Sequence, residues 1–226
     1  FQKQAQRNKL TTGITAIFHG YSGTGKTEAV FQIARKTRRD IMMVDLSQTK
    51  SMWFGESEKQ VKKIFDDYNR LLQTHQTAPI LFINEVDGLL SKRMDVGNST
   101  TTQTLNTIQN ILLQALENFE GILLATTNLA ANLDSAFERR FLFKIDFPKP
   151  DKEIRKKIWL HKLPELKPDC AEILGARYEM TGGQIDNQVR KLVLSQVLDK
   201  NTDVMKVLME NCSRETGFSH RQPIGF

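Results

Sequence analysis

The eight residues Gly20-Tyr21-Ser22-Gly23-Thr24-Gly25-Lys26-Thr27 constrain this chain more than any other stretch of it. They match G-x-x-x-x-G-K-[ST] and lie between an apolar run, Ile14–His19, and a segment of helical spacing, Lys26–Thr37. In a strand–turn–helix of this kind the glycines let backbone N–H groups converge on a phosphate. The helix N-terminus adds partial positive charge. Lys26 then reaches the β- and γ-phosphates, and the Thr27 hydroxyl ligates Mg²⁺. The plain alternative is a glycine-rich turn before an ordinary helix, which gives no reason for Lys and Thr to follow the third glycine. The expected ATP-contacting set is Gly20, Tyr21, Ser22, Gly23, Thr24, Gly25, Lys26 and Thr27, with Glu28 beside them.

Short, nearly continuous apolar runs recur at Ile41–Asp45, Ile80–Asn84, Ile122–Thr127 and Phe143–Phe147. Such runs suit parallel strands covered on both faces. Helical patterns at Ser57–Gln73 and Thr101–Asn118 alternate with them. The first carries Val61, Ile64, Phe65, Tyr68, Leu71 and Leu72 at helical spacing. Alternating β and α elements predict βαβ units, and so a five-stranded parallel sheet flanked by helices. After Phe147-Pro148-Lys149-Pro150 no strand pattern follows. Glu153–Leu163, Cys170–Tyr178, Gln184–Leu198 and Asp203–Cys212 read as helices. The expected division is an α/β domain over 1–148 and a small helical domain with a tail over 149–226. Met94–Thr102 reads as a mobile loop, and Ser213–Phe226 shows no clear pattern.

A chain of 226 residues with 39% hydrophobic content can bury one large core or two small ones. No stretch approaches the roughly 20 apolar residues of a membrane span. The start, FQKQAQRNKL, has no apolar region of a secretory signal, and without an initiator Met the expectation is a fragment of a longer protein. Cys170 and Cys212 suggest neither a disulfide framework nor a metal cluster, which fits a reducing, cytoplasmic setting. The net charge of +6 permits a nucleic-acid partner. Lys and Arg are spread along the chain, however, and such a partner is not favoured.

The run Ile80–Asn84 leads into Glu85, placed to orient and partly deprotonate an attacking water. A surface acid at a strand end is the plain alternative. The next run, Ile122–Thr127, ends at Asn128, a neutral amide that can hold both that water and a γ-phosphate oxygen, or else simply form a turn. Arg139 and Arg140 precede the last run. They are either a solvated basic pair or groups that reach the γ-phosphate of a neighbouring subunit.

Together these residues resemble the AAA+ ATPases. The matching parts are Gly20–Thr27 (Walker A), Ile80–Glu85 (Walker B), Asn128 (sensor 1), Arg139-Arg140 (the arginine-finger region) and a helical lid after Pro148. The resemblance covers about Leu10 to Leu198, and is strongest to the AAA clade of bacterial stand-alone ATPases, with a C-terminal AAA module. It implies a P-loop core with a lid, a ring that is most often a hexamer, and Mg-ATP hydrolysis that remodels or translocates a polypeptide. In that family the segment resembling Trp53-Phe54-Gly55-Glu56 is a pore loop. A flat aromatic there grips any sequence without reading it; a buried Trp-Phe pair is the alternative. Gly182-Gly183-Gln184-Ile185 resembles the start of the lid helix facing the nucleotide. His161 sits where the clade often has a His near the adenine, or is an exposed helix residue.

Two positions depart from the pattern. Tyr21-Ser22 stands where the loop usually has Pro-Pro. Asn84 stands where Walker B has an Asp, which would leave Thr27 and Asn84 as the metal-side residues. Asn keeps an acceptor of the same shape and loses the charge, and charge-assisted hydrogen bonds are about twice as strong as neutral ones. Loss of an outer-shell partner typically costs about 10–100-fold in metal affinity or activity. Two outcomes follow: a slower or more Mg²⁺-demanding ATPase, since Glu85, Lys26 and Asn128 are retained, or a nucleotide-gated scaffold with little hydrolysis.

Overall fold

The computed structural model describes residues 13–45, 57–87, 100–129 and 134–219. Trp53 and Phe54, expected to form a pore loop, lie outside them, as do residues 94–99 of the expected mobile loop and 220–226 of the tail. The chain divides into two compact units. One holds the chain up to Gly20 and Lys26–Phe147; the other holds Tyr21–Gly25 together with Pro148 onward.

The first unit is a five-stranded parallel sheet. Its strands are β1 (Ile14–Gly20), β2 (Ile41–Asp45), β3 (Ile80–Asn84), β4 (Ile122–Thr127) and β5 (Phe143–Phe147). They lie in the order β2-β3-β4-β1-β5. The strands arise where sequence periodicity put them, with β1 one residue longer. Helices α1 (Lys26–Thr37), α2 (Ser57–Thr74) and α3 (Thr100–Glu117) join them. Thr100, expected as loop, and Thr101–Thr102, where the expected loop and helix overlapped, form the first turn of α3.

Successive strand residues face opposite sides, so the central strands β1, β3 and β4 each feed two cores. Ala16, Phe18, Ile80, Phe82 and Leu124 pack with Val30 and Ala34 of α1. Ile17, Leu81, Ile83, Leu123 and Ala125 pack on the other side with Val61, Phe65 and Tyr68 of α2 and with Ile108, Leu112 and Leu116 of α3. This two-sided burial is why β1, β3 and β4 read as apolar runs; β5, expected to be covered on both faces, is instead an edge strand whose Phe143 and Ile145 are exposed. A short helix the sequence reading missed, α4 (Ser135–Glu138), is capped by Asp134, whose carboxylate accepts from the Ala136 N–H at 2.7 Å.

The second unit contains α5 (Lys152–Lys162), α6 (Pro168–Arg177), α7 (Gly182–Leu198) and α8 (Val204–Ser219) around Trp159, Leu174, Ile185, Leu192 and Leu208. Helix α6 starts two residues before the expected Cys170, with Pro168 in its first turn, where proline's missing N–H costs nothing. Helix α8 continues through Ser219, well past the expected Cys212. Arg155 is buried, and its guanidinium donates to the carbonyls of Gly175 (2.7 Å) and Pro150 (2.6 Å), tying α5 to the end of α6.

Candidate functional site

Parallel strands end side by side, so residues far apart in sequence meet at the carboxyl edge of the sheet. There β1, β3 and β4 bring together Lys26, Thr27, Asn84, Glu85, Asp87, Thr126, Thr127 and Asn128. Lys26 opens α1 and is buried; its Nζ donates to the Gly20 carbonyl at 2.9 Å and to Asn128 Oδ1 at 2.8 Å. Burial lowers the Lys26 pKa below its ordinary 10.5, and the nearby carboxylates of Asp87 and Glu85 act in the opposite sense.

Asn84 Oδ1 accepts from the Thr27 hydroxyl at 3.2 Å and from the Thr126 hydroxyl at 2.8 Å. Thr126 Oγ1 also accepts from the Glu85 N–H at 3.1 Å, so one hydroxyl links the two residues at the end of β3. Glu85 itself has φ +52° and an exposed side chain. Left-handed backbone is uncommon for a non-glycine residue and persists where surroundings impose it. Here it turns the carboxylate out of the strand while the Val86 N–H returns to the Thr126 carbonyl at 3.0 Å.

Asp87 is a site residue that the sequence reasoning missed. Its carboxylate accepts from the Thr127 hydroxyl, from the Asn128 N–H at 2.8 Å and from Asn128 Nδ2 at 3.3 Å. Thr126 and Thr127 were read only as strand residues. The signal for both was available: polar side chains among apolar ones at the carboxyl end of a buried strand.

Oxygen donors suit Mg²⁺, which keeps several waters and binds one or two protein groups plus phosphate oxygens. The adjoining Thr27 hydroxyl and Asn84 carbonyl supply two neutral oxygens. Among the described residues no group of three or more His, Cys, Asp or Glu could form an all-protein metal cage. The donor set therefore fits an ion held largely by phosphate and water.

In the second unit, the loop Tyr21–Gly25 packs on the start of α7. The Gly183 N–H donates to the Gly23 carbonyl at 2.9 Å. Gly23 has φ +74°, and a Cβ there would meet Thr181 Oγ1 at 2.8 Å, so any larger residue is excluded twice. A Cβ on Gly25 would instead meet nothing within 4 Å, which leaves open space beside the loop. Tyr21, Ser22, Gly23, Thr181, Gly183 and Gln184 help to line a cleft in this unit. Lys149 Nζ lies 4.9 Å from the Tyr21 ring centre.

Four candidates lie apart from these groups. His161 is exposed on α5 and does not line the cleft. Glu28 faces its own helix, accepting from Gln32 at 2.9 Å and pairing with Arg35 at 3.4 Å. Arg140 pairs with Glu117 at 3.5 Å, whereas Arg139 is exposed, with no side-chain hydrogen bond or ion pair among the described residues.

A parallel sheet in the order β2-β3-β4-β1-β5, with a G-x-x-x-x-G-K-[ST] turn after β1, is a P-loop nucleotide-binding core. The family model for "ATPase family associated with various cellular activities (AAA)" matches residues 16–149, and the chain belongs to that family. It is 30% identical over 215 residues to Fidgetin-like protein 1 of Drosophila melanogaster, covering 90% of this chain and 40% of that protein. It is 30% identical to Cell division protein C of Sulfolobus acidocaldarius (78% and 48% covered). It is 31% identical to the Arabidopsis thaliana protein SUPPRESSOR OF K(+) TRANSPORT GROWTH DEFECT 1 (84% and 44% covered). The chain thus spans less than half the length of these relatives. The crystal structure of the FIGL-1 AAA domain in complex with ADP superposes with a TM-score of 0.68 at 20% identity, over 96% of this chain and 74% of that one, and shows the same fold.

Proposed function

We propose that the chain is the ATPase module of a protein-remodelling machine, binding Mg-ATP and hydrolysing it to ADP and phosphate. One observation carries this reading: Lys26 and Asn128 are hydrogen-bonded to each other, and the exposed Glu85 lies at the same strand edge. Lys26 binds the β- and γ-phosphates. Glu85 takes a proton from the attacking water, and Asn128 orients that water. Tyr21–Gly25 and Gly183 hold the remainder of the nucleotide. Mg²⁺, when bound beside Thr27 and Asn84, neutralises charge on the phosphate oxygens. The module works in a cytoplasmic ring, most simply a hexamer, with Trp53 and Phe54 gripping a polypeptide substrate.

The rival reading is a scaffold that binds ATP with little turnover. The neutral Asn84, already engaged by two threonine hydroxyls, favours it. Steady-state phosphate release from the chain and from Glu85→Gln separates the two. The ATPase reading expects at least about a hundredfold loss in Glu85→Gln, the scale of a general base. Equal rates would leave the scaffold. Raising Mg²⁺ should restore rate to the unsubstituted chain if Asn84 only weakens the metal shell.

A further inference from the structure

We infer that Asp87 is a positioning residue for hydrolysis, fixing the Asn128 amide so that its carbonyl, and not its NH₂ group, faces Lys26. The inference rests on the ATPase reading of this same site and adds a residue to it. Ionised carboxylates only accept hydrogen bonds and ammonium groups only donate. The Asn128 group facing Asp87 must therefore be Nδ2 (3.3 Å), and the group facing Lys26 must be Oδ1 (2.8 Å). The orientation of an amide is usually an assignment; here the chemistry on both sides dictates it.

Asp87 does more than face the amide. Its Oδ1 also takes the Asn128 N–H at 2.8 Å and the Thr127 hydroxyl, so the carboxylate is anchored to the backbone it orders. The chain of contacts runs Asp87, Asn128, Lys26, Gly20 carbonyl, from the end of β3 across β4 to the end of β1. With Asp87 spent on these bonds, Glu85, two residues earlier, is left exposed. The two acids divide the work: one orders the site and the other meets water. Replacing Asp87 by Asn keeps the shape and one acceptor but removes the charge, so the Asn128 amide is held firmly from the Lys26 side alone and its position loosens.

The test joins kinetics to the amide itself. In Asp87→Asn, kcat for phosphate release should fall about tenfold to a hundredfold, the scale of a small misplacement at a reacting centre, while KM for ATP moves less than about threefold. An unchanged kcat, or a loss confined to KM, would overturn the inference. In the unsubstituted chain without nucleotide, the Asn128 side-chain amide protons should exchange slowly with solvent and shift in the ¹⁵N spectrum of Asp87→Asn. Fast exchange in the unsubstituted chain would overturn the inference even if the variant fails to fold. Because the amide signal needs no turnover, it also separates failure of this inference from failure of the ATPase reading, which Glu85→Gln reports.

Discussion

Tyr68 uses its hydroxyl twice. Fully buried on α2, it donates to the Pro79 carbonyl at 2.8 Å, just before β3, and accepts from the Ile122 N–H at 3.0 Å, the first residue of β4. Its ring stacks on Phe119 at 5.2 Å, and burial raises the phenol's pKa above its ordinary 10.0. Tyr68→Phe would keep the stacking and leave two buried backbone groups unpaired. We expect a loss of about 1–3 kcal/mol in denaturant unfolding at unchanged m-value. A loss below a few tenths would mean water replaces the hydroxyl. At this scale Lys26, Thr27, Asn84, Glu85 and Asn128 were legible, because motif spacing and strand ends place them. Asp87 was not: its partners are Thr127 and Asn128, and only the β3–β4 register brings a lone acid after a strand to another strand's end. Tyr68 was legible as a core residue by its spacing, but its two backbone partners were not.

Helix α7 begins with two glycines, poor helix formers; the helical pattern alone started it at Gln184, and the family resemblance at Gly182. The structure starts it at Gly182 because Thr181 and Gln184 form a capping box: the Gln184 side chain accepts from the Thr181 N–H at 2.9 Å, and Thr181 Oγ1 accepts from the Gln184 N–H at 3.4 Å. The Thr-x-x-Gln spacing was the available signal. Further along, Asp186 bridges to Lys162 of α5 at 2.7 Å and to Arg190 at 2.9 Å. The Lys162 hydrogen bond holds the Asp186 pKa below its ordinary 3.8, against the effect of burial. A carboxyl whose pKa is lowered by folding stabilises the fold above its unfolded value and loses that contribution as pH falls through the folded one. Asp186→Asn should therefore be less stable than the unsubstituted chain at pH 7. The difference should shrink towards zero below about pH 3, measured by urea midpoints. A constant difference across that range would show that the pair matters through packing and not charge.

At the scale of the whole molecule, the five-stranded parallel sheet and the helical part after it were predictable in kind, since alternation of β and α runs and the change after Phe147 are compositional; the strand order was not. A choice between Arg139 and Arg140 was not, because both occupy one dipeptide. The structure separates them: Arg140 is engaged by Glu117 within its own unit, and Arg139 projects into solvent. If the module works as a ring, Arg139→Ala should lower turnover about a thousandfold without weakening ATP binding, the low end of what an arginine finger contributes. Arg140→Ala should act mainly on stability. Light scattering with ATP should show an assembly larger than 25.9 kDa. A fully active monomer, indifferent to loss of Arg139, would sink the ring.

The order of strands also bears on how the chain is made. β1 is synthesised first yet sits between β4 and β5, with Ile14 beside Ile122 and Gly20 beside Phe147. β2, β3 and β4 are neighbours in both sequence and sheet, but β1 is not paired with β2. A nascent chain must therefore carry the apolar run of β1 unpaired until the last two strands leave the ribosome. Such non-local pairing slows folding and exposes intermediates to aggregation. The phosphate-binding turn is thus translated before both strands that flank β1, which are complete only near Phe147. A ribosome stalled before Ile122 would hold a chain whose best-specified motif has no strand beside it.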